Sequence, residues 1–181
     1  MKYNFNRELI LNKEINDKCF EELECIVRTG NISRYTNWHW LANVFKEVLE
    51  YNEYGYNKPA YLFNKLFIFR DEFSYSGKIY RGYDLEGFEE LPILKTNDIC
   101  SWSSKYDVAS RFTEKSEGLW CVLSCDAVNG FDLASFMSHL LENCPIEEIY
   151  VYFEVYFGED EVLYPANAFD VYKFGDRSLY E

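Results

Sequence analysis

The stretch GEDEVLYP (residues 158–165) joins a run of carboxylates to a short apolar segment that ends at a proline. The apolar half predicts a β-strand, because its residues favour strands and proline commonly ends them. Side chains alternate along a strand, so Glu159 and Glu161 are expected to point to the same side. Paired carboxylates stabilise a developing positive charge or bind and deprotonate a cationic nucleophile, which is what glycosyl chemistry requires.

Taken alone, this pattern is weak, since about five acid-x-acid triplets are expected by chance in so acidic a chain. A prediction of the fold and the function therefore also needs the patterns in the rest of the sequence. Further segments that are β-branched or aromatic and bounded by turn-forming residues predict strands at 78–83, 119–125, 149–157, 161–164 and 169–174. A strand is also expected to end in the segment SWS (residues 101–103).

The helices predicted from apolar periodicity lie mainly in the first third of the chain. One follows Asn16 and Asp17 and ends at Gly30, and a second extends from Thr36 to about residue 50. Residues 60–69 fit either a short helix or the start of a strand. Two more helices are expected among the strands, at 105–113 with Ser104 as the N-cap, and after Asp132. Helices followed by strands predict a single α+β domain over residues 1–181.

The composition argues against a nucleic-acid-binding protein, a membrane protein and a metal protein. The 181 residues include 18 Lys and Arg and 31 Asp and Glu, giving a net charge of −13. Such a charge repels nucleic acid and favours a partner with a basic surface, although it also fits a plain solubilising surface. No segment has the length and apolar character of a membrane span or a signal peptide, so a cytoplasmic location is expected. The six cysteines and two histidines follow no metal-ligand spacing, and no metal is expected.

Polar residues stand in two of the predicted strands. Arg81 lies in an otherwise apolar strand, where an unpaired charge is costly unless it meets an anion or a structural salt-bridge partner. Ser101 and Ser103 share a face of their strand and can orient a ligand or a carboxylate, although serines before a helix are usually caps. The chain thus has an arginine strand, a serine pair and a double carboxylate, in this order.

This ordered set resembles the arginine-serine-glutamate class of mono-ADP-ribosyltransferases. The strings that carry the likeness are YRG (residues 80–82), SWS (101–103) followed by VASRF (108–112), and EDEVLYP (159–165). The likeness covers residues 78–174 and is greatest to the Mod-type enzymes of tailed bacteriophages. It implies an ADP-ribosyltransferase-like fold, with an N-terminal helical lobe (residues 1–70) followed by an NAD-binding β core (78–174) split into two sheets.

The resemblance also implies a role for each residue, with NAD as co-substrate and no metal. Arg81 would contact the NAD phosphates, with Tyr80 and Gly82 beside it. Ser101 would hold the ribose and the catalytic glutamate, and Ser103 would support the turn. Glu161 would hydrogen-bond the ribose 2′-hydroxyl and stabilise the positive charge as nicotinamide leaves. Glu159 would engage the acceptor, and a glutamate at this position implies arginine specificity. The bulk of Trp102, in the middle of the serine motif, departs from the family pattern.

The expected function is therefore an enzyme, an NAD-dependent glycosyltransferase that moves ADP-ribose onto an arginine of a target protein. The likeness implies a phage-encoded protein that acts in the host cytoplasm, in host takeover or against an antiviral system such as CRISPR. Two alternatives remain at this point. One is a non-enzymatic acidic inhibitor that mimics nucleic acid and occupies a basic groove, and the other is a toxin that hydrolyses NAD without a protein acceptor.

Overall fold

A computed structural model describes residues 13–42, 68–85, 100–147, 158–166 and 168–177. The chain forms two compact units. The first contains the described residues within Met1–Phe73 and Ser135–Phe157, and the second contains those within Ser74–Ala134 and Gly158–Glu181. The seven residues expected at the NAD site all belong to the second unit.

The protein has the mixed α+β composition that the sequence predicts. Its helices are α1 (Lys13–Thr29), α2 (Tyr106–Arg111) and α3 (Leu133–Asn143), with further helical residues at 38–42 and a 3₁₀ turn at Asp71–Phe73. Its strands are β1 (Ser74–Asp84), β2 (Cys100–Ser103), β3 (Leu119–Asp132), β4 (Glu161–Tyr164) and β5 (Asp170–Asp176). Within these residues, none of the helices combines the length and apolar character needed to cross a bilayer.

The first unit confirms the apolar stripe and the end of the first predicted helix. The prediction that this helix starts after Asn16 and Asp17 is wrong: α1 begins at Lys13, because Lys13 and Glu14 are themselves good helix formers. Leu23, Ile26 and Val27 form a buried stripe on α1, as expected from their spacing. The helix ends before Gly30, whose φ of 70° lies in the left-handed region that glycine adopts without steric cost. His139 Nε2 donates a hydrogen bond to the Gly30 carbonyl oxygen over 2.7 Å, so α3 helps to satisfy this helix end.

Several predicted elements lie partly or wholly outside the described residues. They are the segment 149–157, residues 43–50 of the second predicted helix and residues 60–67 of the ambiguous apolar segment. The described part of the second helix, residues 38–42, is helical as expected. The end of the ambiguous segment, at 68–69, is neither helix nor strand.

The prediction that Ser104 caps the helix after β2 is wrong. Helix α2 begins at Tyr106, and the residue at its N-cap position, Lys105, makes no side-chain capping bond. The serine that serves this turn is Ser103, whose Oγ accepts a hydrogen bond from the Lys105 backbone N–H over 3.1 Å. Because Ser103 is held in β2, the helix starts one residue later than the capping pattern suggests.

The five strands form one antiparallel sheet with the order β1-β2-β4-β3-β5, in which β1 also pairs with β3. Strand β3 makes this possible because it is long. Its first part lies between β1 and β5, and Phe131 and Asp132 at its far end pair with β4. The expected split into two sheets therefore differs from what the described strands show: β1, β2, β4 and β3 join in a closed ring, and β5 extends it from β3.

A compact apolar core fills the second unit. Trp102 and Val162, which pair on neighbouring strands, both belong to it. The other buried members come from β1 to β4 and the segments that follow β1 and β4: Ile79, Leu85, Cys121, Leu123, Cys125, Ala127 and Ala166. This packing fixes β2 against β4, and so determines which residues stand on their opposite face.

Candidate active site

The pairing of β2 with β4 sets the frame of the candidate site. Ser103 lies opposite Glu161 and Ser101 lies opposite Leu163, whereas Trp102 and Val162 pair between them. Because neighbouring residues alternate in direction, Ser101, Ser103 and Glu161 share the face opposite to Trp102. The bulky Trp102 is 2% exposed and belongs to the apolar core. Its departure from the family pattern therefore falls on the core side of β2, away from the serines.

Arg81 reaches the same place from β1. Its Nη1 donates a hydrogen bond to the Ser101 carbonyl oxygen over 2.7 Å, and its guanidinium stands 5.1 Å from the centre of the Tyr83 ring. The salt bridges among the described residues do not include Arg81, so the structural ion pair considered from the sequence is not found there. A guanidinium has five N–H donors. The bond to Ser101 leaves donors that can meet an anionic ligand.

Glu161 is the one buried Asp, Glu, Lys or Arg side chain among the described residues. It is only 5% exposed. Burial raises its pKa to about 7, and three neighbours adjust that value: a hydrogen bond from Ser101 and the positive charge of Arg81 lower it, while the negative charge of Glu159 raises it. Strongly perturbed carboxyl groups of this kind are concentrated at functional sites. Arg81, Ser101 and Glu161 are thus brought together, as their order in the sequence suggests.

The prediction that Glu159 and Glu161 share a face of one strand is wrong in its geometry. Strand β4 begins only at Glu161, and Glu159 belongs to a 3₁₀ turn with Gly158. Asp160 between them has a φ of 44°, in the left-handed region that ends any strand alternation. The two carboxylates still interact, since Glu159 raises the pKa of Glu161. Glu159 is exposed, and partial desolvation raises its own pKa.

The segment that carries Glu159 and Asp160 is fastened to the turn between β2 and α2. Ser103 Oγ donates to the Glu159 carbonyl oxygen over 2.9 Å, and the Ser104 N–H donates to the Asp160 carbonyl oxygen over 3.0 Å. The Lys105 ammonium pairs with Asp160 Oδ2 at 2.8 Å. We call these three contacts the 103–105 clamp. Ser103 thus supports the turn, as the resemblance implies, but it does so by holding the glutamate segment.

Tyr80 and Gly82 take other positions. The Tyr80 ring packs against Tyr106 and Tyr172, with ring centres 5.8 and 5.1 Å away. Gly82 lies beneath helix α2, where a Cβ would come within 2.2 Å of the Ala109 carbonyl oxygen. The glycine is therefore required so that α2 can approach β1. In the sheet, Tyr80 also pairs with Ser103, which lies opposite Glu161. The role in NAD binding that the resemblance implies for Tyr80 and Gly82 stays a prediction.

Two features of the site are not contained in the sequence patterns. One is the ion pair of Lys105 with Asp160, and the other is the left-handed conformation of Asp160. The sequence signal for the second is that aspartate tolerates this conformation better than most residues. Among the described residues, no group of three or more His, Cys, Asp or Glu side chains is arranged to hold a metal ion.

Polar groups capable of binding a dinucleotide are present in this cluster: a guanidinium with donors to spare, an exposed serine and a buried carboxyl group. A guanidinium suits phosphates, and a carboxylate suits a sugar hydroxyl. Comparisons of the chain with protein-family models, with curated proteins and with solved structures give no match.

Proposed function

We propose that this protein is an NAD-dependent mono-ADP-ribosyltransferase that modifies an arginine of a target protein. The observation that carries the proposal is the position of Ser101, which accepts from Arg81 through its carbonyl oxygen and donates to Glu161 through its hydroxyl. Three residues that are far apart in the sequence lie close together, and the resemblance implies a role in NAD binding or catalysis for each of them. A structural salt bridge would pair Arg81 directly with an acid and would not need the serine.

In this proposal, Arg81 binds the phosphates of NAD through its remaining N–H donors. Glu161, in its ionised form, accepts a hydrogen bond from the 2′-hydroxyl of the nicotinamide ribose. Its negative charge stabilises the positive charge that develops on this ribose as the bond to nicotinamide breaks. Nicotinamide leaves with the electron pair of that bond. Ser101 holds the Glu161 carboxyl in place and favours its charged form.

Glu159 then acts on the acceptor. It is exposed beside the buried Glu161, so a protein side chain can reach it from solvent. The Glu159 carboxylate binds the acceptor guanidinium and takes one proton from it, which makes one of its nitrogens nucleophilic. That nitrogen forms a bond to the ribose C1′. The products are ADP-ribosylated arginine, nicotinamide and one proton.

The charge of −13 supports a target with a basic surface, because opposite charges steer the encounter of two proteins. A phage protein acting on a nucleic-acid-binding protein in the host cytoplasm fits this charge and the resemblance. Host transcription, translation and antiviral complexes all contain such proteins. The chemistry at the site is the same for each of them.

The test uses NAD labelled in its adenylate half, with either agmatine, a small guanidine, or a bacterial lysate as acceptor. Wild type is compared with Glu161→Ala and Glu159→Ala, and with Glu117→Ala as a matched control at an exposed glutamate. We expect wild type to label agmatine and discrete proteins. Glu161→Ala should reduce the rate of NAD cleavage about 10²–10³-fold. Glu159→Ala should lose the transfer to acceptors but keep NAD cleavage.

Other outcomes favour the alternatives. Free ADP-ribose without labelled acceptor indicates an NAD hydrolase. A wild-type protein that does not cleave NAD, or a Glu161→Ala variant that cleaves it normally, contradicts the proposal. If Glu161→Ala keeps the full biological effect, an acidic inhibitor that mimics nucleic acid becomes the better explanation.

A further inference from the structure

We propose that Lys105 is a positioning residue that sets how much cleaved NAD is transferred to an acceptor and how much is hydrolysed. It does so by holding Asp160, and through Asp160 the acceptor-facing Glu159. This inference rests on the proposed function, and it concerns a residue outside the three motifs. Its basis is the 103–105 clamp and the conformation of the chain between the two glutamates.

The two glutamates are held in different ways. Glu161 is fixed by pairing of β4 with β2 and by the hydrogen bond from Ser101. Glu159 precedes the strand and is exposed, so neither the sheet nor the core holds its side chain. Its position depends on the backbone of Asp160, whose φ of 44° turns the chain just before β4. A change in the clamp therefore moves Glu159 more than Glu161.

The clamp has a backbone part and a side-chain part. The backbone part consists of the bonds from Ser103 Oγ to the Glu159 carbonyl oxygen and from the Ser104 N–H to the Asp160 carbonyl oxygen. The side-chain part is the ion pair of Lys105 and Asp160, at 2.8 Å. Asp160 is less exposed than Lys105, with side-chain exposures of 29% and 64%. The ion pair thus joins the side chain of Asp160 to the turn between β2 and α2.

A purely structural role for this ion pair predicts a different result. Exposed ion pairs contribute little to the stability of folded proteins. The described chain offers a matched pair in the same unit, Lys78 with Asp126 at 3.2 Å, which joins β1 to β3 and is not one of the three contacts of the clamp. If Lys105 forms only an ordinary surface ion pair, its substitution should have the same effect on the reaction as substitution of Lys78.

Transfer requires the acceptor nitrogen to meet the ribose carbon at the right distance, and misplacement of a positioning group by about 1 Å can cost as much as 100-fold. Hydrolysis needs only water, which reaches the site without help from Glu159. Loosening the 159–160 segment should thus reduce transfer while NAD cleavage continues. The ratio of transfer to hydrolysis is the quantity that Lys105 controls.

The experiment measures ADP-ribosyl agmatine and free ADP-ribose in one reaction. We expect Lys105→Met to lower the ratio of transfer to hydrolysis about tenfold, with total NAD cleavage within about twofold of wild type. Asp160→Asn, which keeps a residue that tolerates the left-handed region, should give the same loss. The double variant should lose no more than either single one. Lys105→Arg should restore the ratio, and Lys78→Met should leave it unchanged.

A second measurement does not depend on activity. The Ser104 amide donates to Asp160 within the clamp, so its hydrogen exchange reports whether the 159–160 segment stays closed. We expect Ser104 to exchange at least about fivefold faster in Lys105→Met than in Lys78→Met. Unchanged exchange of Ser104 overturns the inference.

The kinetic outcomes separate the two levels of proposal. An active wild type whose ratio survives Lys105→Met overturns the role of Lys105 and leaves the proposed function standing. Equal loss of transfer and of NAD cleavage also overturns it, because the lysine would then act on Glu161 or on NAD. A wild type that cleaves no NAD overturns the proposed function and this inference together.

Discussion

Trp102 and Val162 lie side by side on one face of the β2–β4 strand pair, and Ser103 and Glu161 lie side by side on the other. The first pair is part of the apolar core, and the second contains a buried carboxyl group. All four side chains are almost inaccessible to water. Burial of the apolar face stabilises the folded protein, whereas burial of the carboxyl group on the polar face destabilises it. The stabilising burial on one face of two short strands thus offsets the cost of a desolvated carboxyl group on the other, which is typical of functional sites.

The largest effect is expected when the apolar face is broken. Trp102→Ala should reduce the free energy of unfolding by about 3–5 kcal/mol, because it leaves a large cavity in the core. Urea unfolding followed by circular dichroism measures the loss. Trp102→Phe is the control: it keeps most of the volume and removes the indole Nε1, which has no hydrogen-bond partner among the described residues. A loss below about 1 kcal/mol in Trp102→Ala would show that the core does not depend on this side chain.

On the polar face, Glu161→Gln should make the protein more stable at high pH. Burial raises the pKa of Glu161 to about 7, from an ordinary value of 4.5. Well below pH 4.5 the carboxyl group is protonated in both states, so its ionisation does not change the stability. Between about pH 4.5 and 7 the unfolded chain ionises first, so stability falls, by roughly 3 kcal/mol in total, and it then stays constant.

The variant lacks this loss, so at pH 8 it should exceed wild type by up to roughly 3 kcal/mol, and at pH 4 the two should agree. Unfolding curves at the two pH values measure this difference, with exposed Glu117→Gln as the control. An equal difference at both pH values would mean that Glu161 ionises normally in the folded protein. The same variant should lose NAD cleavage, so a gain in stability would accompany the loss of function.

A smaller effect is expected at Ser103, which is 5% exposed. Ser103→Ala should cost about 2 kcal/mol, because the Glu159 carbonyl oxygen and the Lys105 N–H lose their shared partner. The half-buried Ser110, whose hydroxyl bonds only to the Asp107 carbonyl oxygen in its own helix, provides the control. Chemical unfolding measures the free energy of unfolding of Ser103→Ala and of Ser110→Ala. Equal decreases in the two variants would show that the clamp contributes nothing to stability.

The smallest effect is expected at Ser101, and it concerns the pH profile. Loss of its hydrogen bond should raise the pKa of Glu161 further, since this bond favours the charged form. Under the proposed function, Ser101→Ala should lower kcat/KM for NAD roughly three- to tenfold at pH 6 and much less at pH 9. Initial rates across this range measure the shift. A uniform loss at every pH would mean that Ser101 acts by binding NAD and not through Glu161.

The comparison of these faces also explains what the sequence could and could not predict. Local patterns gave the right answer for local features. The end of α1 at Gly30 and the change from strand to helix after Asp132 depend on residues within one turn of each boundary. The alternation that places Trp102 opposite to its flanking serines is equally local, and it holds because β2 is a regular strand.

Two of the wrong predictions depend on distant parts of the chain. Ser104 does not cap α2, because Ser103 in the neighbouring strand already serves the Lys105 amide. Glu159 does not continue the alternation of Glu161, because the clamp holds Asp160 in a left-handed turn. The single sheet follows from the length of β3, which pairs with three other strands. The Ser103 contact is local, but contacts between residues far apart in sequence decide the other two features, and one-dimensional patterns do not contain them.

The long-range pairing of the site also has a consequence for the order of events during synthesis. Arg81 and Ser101 are 20 positions apart, whereas Ser103 and Glu159 are separated by 56. A growing chain therefore contains the arginine and both serines well before either carboxylate exists. Strands with such distant partners form late and slowly compared with local structure. A ribosome that stops before Glu159 releases a product without its reactive acids, and the complete site arises only when β4 docks.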